Sequence, residues 1–195
     1  MERVIDSQSD GQLAAFLAFD VLESRLRSMP PAPADIGQVR LLVTRHRGGV
    51  RETLDRASMT PEAGMPDDSW GRQRRPSPEA QLAVMQFDVA DLIANGQPLT
   101  LFGDQLFLEL DLSDANLPAG TVLRAGAATF EVTPLPHNGC RKFRERFGDG
   151  ALRLVTMREL RHLNLRGIYL RVIEAGDVAV GDAVHVLRRP RPTTH

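Results

Sequence analysis

The chain is predicted to fold as a mostly β protein with peripheral helices, a barrel or a sandwich rather than a βαβ sheet. Three observations carry that expectation. Short apolar runs rich in β-branched residues recur from residue 38 onward. Gly, Pro and Asn signals separate them closely, which leaves room for few helices. In "ATFEVT" (128–133), Ala128, Phe130 and Val132 share one face and Thr129, Glu131 and Thr133 the other, as in a half-buried antiparallel strand.

The first element expected is a helix. Ser9 and Gln12 have capping-box spacing, and Leu13, Phe16, Leu17 and Val21 recur on one face. Arg25 and Arg27 suit its C-terminal end, and Pro30–Pro31 stop it. Its apolar face must pack on the following domain or on a second subunit. With the stiff "PPAPAD" linker it makes a segment 1–35, ahead of a β domain over 36–190 and a loose tail, 191–195. "QVRLLVTR" (38–45) reads as a strand. Residues 46–80 are rich in turn formers, and a loop of that length in a compact domain is often functional. "QLAVM" (81–85) reads as a buried strand, and "DVADLIANG" (88–96) as a short helix opened by Asp88 and closed by Asn95–Gly96. Strands are then expected at 106–112, 121–126 and 128–134, a helix over 151–164, and strands at 166–176 and 182–189. No internal repeat is visible.

At 195 residues the chain fits one domain, and 42% hydrophobic with 25% charged residues is ordinary for a soluble globular protein. A formal charge of −1 argues against a nucleic-acid partner. One cysteine excludes an internal disulfide and any Cys-rich zinc or iron–sulfur centre. No signal peptide or membrane-length apolar run is seen, so the expected location is the reducing cytoplasm, without membrane attachment.

The stretch "PLPHNGCRKFRERFGDG" (134–150) contains both the only cysteine, Cys140, and the only lysine, Lys142. It reads as a strand end, a turn at Asn138–Gly139 and a helix start. Phe143 and Phe147, four apart, share a buried face, and Gly148 or Gly150 ends the helix. Cys140 then sits at a helix N-terminus, where orphan N–H groups favour a thiolate, with Arg141, Lys142, Arg144 and Arg146 close by. His137, three residues earlier, can hold or pass a proton. A thiolate of this kind attacks sulfur, carries a persulfide or binds a soft metal. The plainer reading is a small buried hydrophobe. Lys142 is read as a nearby charge, not a Schiff-base lysine. His46, His162, His185 and His195 are read as surface or satisfied histidines. Gly103–Asp104 reads as a turn and "GMPDDSW" (64–70) as a solvated acidic loop. Arg166 and Arg171 flank Tyr169 on opposite faces of one strand, so at most one faces a pocket.

"PHNGCRKFRERFG", with "RGIYLRVIEAGDVAVGDAV" and the preceding "GDQLFLELDLSDANLPAGTVLRAG", resembles the MOSC family, named for the C-terminal domain of molybdenum-cofactor sulfurase, and its stand-alone bacterial members. The likeness runs from about residue 38 to about 188. It implies a barrel of the pyruvate-kinase type whose cysteine carries sulfur or ligates molybdenum in a pterin cofactor. Relatives include cofactor sulfurases and molybdenum-dependent reductases of N-hydroxylated compounds. The family cysteine maps onto Cys140, with His137, Asn138, Lys142 and Arg146 in its motif. Gly103 and Asp104 match the Gly-Asp before the long strand, and Arg171 the basic position after the Arg-Gly turn. Where members often read Gly-x-x-Gly-Asp-x-Trp, this chain has Asp67 in place of the second glycine, which puts a ligand role for Asp68 in question. Nothing resembles a pyridoxal-phosphate desulfurase domain, so a sulfur donor such as a cysteine desulfurase, or an electron-donor protein, is the expected partner. Oligomeric state is open. The functional expectation is a molybdenum-cofactor-binding protein with Cys140 as metal ligand or sulfur carrier. The alternatives are a non-catalytic sulfur carrier and a degenerate barrel with an inert thiol.

Overall fold

In the computed structural model, which describes residues 5–6 and 10–191, the chain runs through β1 (Ile5–Asp6), α1 (Phe19–Ser28), β2 (Ile36–Arg45), β3 (Arg51–Leu54), β4 (Arg56–Met59), β5 (Leu82–Gln86), α2 (Phe87–Ala94), β6 (Leu106–Glu109), β7 (Val122–Ala125), β8 (Ala128–Val132), α3 (Arg141–Thr156), β9 (Ile168–Glu174), β10 (Gly176–Ala179) and β11 (Ala183–Arg188). Seven strands close into a barrel in the order β2-β11-β7-β8-β9-β5-β6, and β6 pairs back onto β2. Of the barrel pairings only β5–β6 is parallel. The far half of β2 leaves the ring to pair with β3, which carries β1, while β4 and β10 form a separate ribbon. The expected mostly β fold with peripheral helices is therefore observed, and it is a barrel.

Two apolar layers explain why these runs are strands. Val39, Leu42, Leu82, Val84, Leu106, Leu108, Leu123, Phe130, Leu170 and Val184 fill the barrel. Leu41, Val43, Met85 and Phe107, from the opposite faces of β2, β5 and β6, pack outward beneath the helices. Both faces of β5 and β6 are thus buried, which is why they read as continuous apolar runs rather than as an alternation. A register shift between Val39 and Leu41 changes the phase of β2, so Val39 and Leu42, three apart, both point inward.

The N-terminal expectation needs correction. Instead of one helix, the chain makes a 3-10 turn at Leu13–Ala15, an extended step at Phe16, and α1, whose N-cap is Ala18. The proposed cap Ser9 lies outside the described residues. The extended step exists because this segment lies across α3. A Cβ on Gly150 would sit 2.3 Å from the Leu17 carbonyl oxygen, and one on Gly148 2.9 Å from the Phe16 ring. The apolar face of α1 packs within the same chain: Leu22 is fully buried in the outer layer with Phe19 and Leu26 against it.

Residues 46–80 are not one loop, since they contain β3 and β4. α2 begins one residue before Asp88, and Gln86 is its N-cap, without a side-chain hydrogen bond. Asn95 closes it in the left-handed conformation, as its sequence suggests. The helices expected over 141–150 and 151–164 are rearranged. α3 runs to Thr156 with a break at Gly148 (φ 85°, ψ 174°), and a 3-10 stretch follows at Arg158–Leu163. Among the described residues no helix is long and apolar enough to cross a membrane. In the tail assigned to 191–195, residues 192–195 lie outside the described residues.

Candidate functional site

Cys140 is the N-cap of α3, and its thiol is exposed. Its carbonyl accepts the Arg144 N–H at 3.1 Å, so the backbone already turns into the helix there. The buried face of the first two turns anchors this position. Phe147 stacks on Phe102 with ring centroids 4.1 Å apart, and Phe143 lies 6.0 Å from the same ring. Phe102 immediately precedes Gly103–Asp104, so aromatic packing brings the start of α3 to that turn.

Around the turn lies a cluster of arginines. Arg146, on α3, donates from Nη1 to the Leu101 carbonyl at 2.9 Å. Arg45, at the end of β2, donates from Nη1 to the Gly103 carbonyl at 3.1 Å. Arg166 reaches both Asp104 oxygens from Nη1 at 3.1 and 2.8 Å, and its guanidinium lies 5.3 Å from the centre of the Phe143 ring. Arg146 lies within electrostatic reach of Cys140, Arg166 and Asp104. The group therefore joins α3, β2, the 101–104 turn and the approach to β9.

Two carboxylates balance the arginines. Asp68 is wholly enclosed and takes Arg45 Nε and Nη2 at 3.0 and 2.7 Å, together with the backbone N–H of Arg45 and of Trp70. Burial pushes its carboxyl up, but the hydrogen bonds and charge of Arg45 outweigh this and hold it below the ordinary carboxylate value. Asp104 is also wholly enclosed, and there burial wins over Arg166, Arg45 and Arg146, raising it. Asp67, standing where the family pattern has glycine, adopts φ 57°. The backbone is left-handed there, and the next residue, Asp68, reaches Arg45.

His137 sits on the other side of Asp104. Its Nδ1 is 3.6 Å from Oδ1, too long for a hydrogen bond, and its ring lies 4.4 Å from that of Tyr169. Burial, then the charges of Arg166 and Arg45, push the imidazole well below its ordinary value, so it is neutral near pH 7. Burial also raises the Tyr169 phenol, with Asp104 adding to the effect.

The sequence-predicted residues thus divide. Cys140, His137, Asp104 and Arg146 come together. Asn138 is exposed on the adjoining cleft. Lys142 is exposed, and among the described residues it makes no ion pair with the cluster. Arg171 is elsewhere: it pairs with Glu131 at 2.7 Å across β8–β9 on the barrel exterior. Of the two arginines flanking Tyr169, Arg166 is the one that faces the site. Asp68, read as part of a solvated loop, is buried in it. Arg45 was missed; its only sequence signal is a cation ending an apolar strand.

The fold and site together define a seven-stranded barrel with one exposed thiol set beside half-buried, partly neutralised arginines. The model of the MOSC domain matches residues 72–185, over half of the chain, and the chain belongs to the MOSC domain family. No curated protein matches the sequence. Crystal structures similar to this chain include the following three. One is a hypothetical protein at 18% identity, covering 82% of this chain and 71% of that one, TM-score 0.60. Another is the YuaD protein from Bacillus subtilis, at 15% identity with coverages of 78% and 97%, TM-score 0.53. The third is YiiM from Escherichia coli, at 20% identity with coverages of 80% and 73%, TM-score 0.53. At such identities the likeness concerns the fold.

Proposed function

We propose that this MOSC protein binds a molybdenum cofactor, or a related anionic ligand, with Cys140 as metal ligand or sulfur carrier. The observation that carries the reading is the exposed thiol at the α3 N-cap, within electrostatic reach of Arg146 in an arginine-rich cluster. The residues fit such a group chemically. Cys140 is a soft donor suited to molybdenum, and guanidiniums suit the phosphate of a pterin. Among the described residues no three His, Cys, Asp or Glu side chains gather around a bare ion. The fit is therefore to a metal that brings most of its ligands with it. Cys140 would hold the metal, Arg146 and Arg45 would face its anionic groups, and the bound metal would supply the redox chemistry. Within the chain, Asp104 and Asp68 keep Arg166 and Arg45 in place, and neutral His137 adds no charge.

Metal analysis of protein purified from molybdate-fed cells is the test. Molybdenum near one atom per chain, lost in Cys140→Ser, is expected; metal-free protein that also fails to take up cofactor in vitro refutes the reading.

The exposure of the thiol favours a second reading, sulfur carriage. Here the Cys140 thiolate attacks the outer sulfur of a desulfurase persulfide, and the donor cysteine leaves as its thiolate. Intact-mass measurement after incubation with a cysteine desulfurase should then show one added sulfur atom on Cys140. A buried, inert thiol does not match the exposed side chain.

A further inference from the structure

Two clefts meet at the loop carrying His137. One, of about 220 Å³, is lined by His137, Asn138, Arg161 and Arg166 among others, with no carboxylate in its wall. The other, of about 200 Å³, also touches His137 and Arg161, but its wall is largely apolar, with Leu117, Val132, Leu135 and Ile168. Its one carboxylate, Asp114, accepts the Asn164 amide at 2.8 Å. The two clefts share Pro136, His137, Arg161 and Asn164, so they are lobes of one groove with a cationic end and an apolar end.

Two nearly enclosed side chains back the cationic lobe. His137 and Arg166 have side chains only 8% and 9% exposed, and each keeps a nitrogen, Nδ1 and Nε, without a partner. Both nitrogens are closed off from the groove, so its accessible polar group is at the rim. Arg161 is exposed at the rim and makes no ion pair among the described residues.

We propose that this groove binds a small carboxylic acid with an apolar body, the carboxylate against Arg161 and the body against Leu117, Val132, Leu135 and Ile168. A carboxylate matches the charge better than a phosphate does. The Arg166 charge is already met by Asp104, and Arg161 is the uncompensated guanidinium. The apolar lobe that takes the body holds only about 200 Å³, so that body is small. The site does not depend on what Cys140 holds.

Calorimetric titration of the full chain with benzoate tests the proposal, with benzamide and inorganic phosphate as comparison probes. Benzoate should saturate one site, and both comparison probes should bind at least about tenfold more weakly. Arg161→Gln should weaken benzoate about tenfold. Ala119→Phe should abolish binding by filling the apolar lobe, which Ala119 lines. Both residues are exposed, so circular dichroism should show the fold retained. Non-saturable benzoate, benzamide or phosphate binding as tightly, or benzoate indifferent to both substitutions would overturn the proposal.

Discussion

Asp104 and Asp68 are both fully enclosed, yet burial outweighs the neighbouring arginines at Asp104 and is outweighed by Arg45 at Asp68. Asp68 receives four hydrogen bonds from Arg45 and Trp70, whereas Asp104 relies on one Arg166 nitrogen. Removing that nitrogen strands a buried acid. Arg166→Met should cost about 3–5 kcal/mol in urea denaturation; a loss under about 1 kcal/mol would mean Asp104 is not held by this pair. His137 makes a prediction with a definite sign. Its folded value is depressed below 6.5, so below that pH the unfolded chain takes up a proton that the native ring refuses. Its contribution to stability is full above pH 6.5 and is lost as pH falls toward the lower folded value. His137→Phe keeps a ring against Tyr169 and cannot protonate. Comparing urea midpoints at about pH 7.5 and about pH 5.5 should show a smaller acid loss in the variant. An equal loss in both proteins would contradict the assignment. Cys140, His137 and the run of bases were legible as residues, because their signal is local.

α3 is the element that joins these residues to the rest of the chain. Cys140 caps its N-terminus, and the break at Gly148 lets the N-terminal segment lie across it. The Phe143–Phe147 pair and a glycine interruption were readable from helical spacing. The extended step at Phe16 was not, because apolar residues at 13, 16, 17 and 21 fit a helix equally well. What decides is the collision a helix there would meet on α3. Gly150→Ala places a Cβ against the Leu17 backbone, which cannot yield as a flexible side chain can. A loss of about 1–3 kcal/mol is expected, with faster limited proteolysis between residues 10 and 18. Unchanged cleavage would show that the N-terminal segment is held elsewhere.

At the scale of the whole molecule, the barrel interior and the outer helical layer share β2, β5 and β6, whose two faces serve one core each. Neither layer can melt alone without exposing the other. Trp70, the one tryptophan, is buried in the loop pinned by Asp68. Its fluorescence and the far-ultraviolet circular dichroism should therefore give superimposable urea transitions; earlier loss of the tryptophan signal would mean that loop unfolds separately. By itself the sequence determined the mostly β class, the approximate positions of the seven barrel strands, the phase of β8, and a thiol at a helix start, since each depends on the pattern over a few residues. Tertiary structure decided the rest. "RETL" and "RASM" become β3 and β4 only because β2 and β10 pair with them. The ring closes only where β6 meets β2. Arg45 finds Asp68 across 23 residues and Arg166 finds Asp104 across 62. Contacts at such separations depend on chain closure, and closure leaves no mark in local spacing.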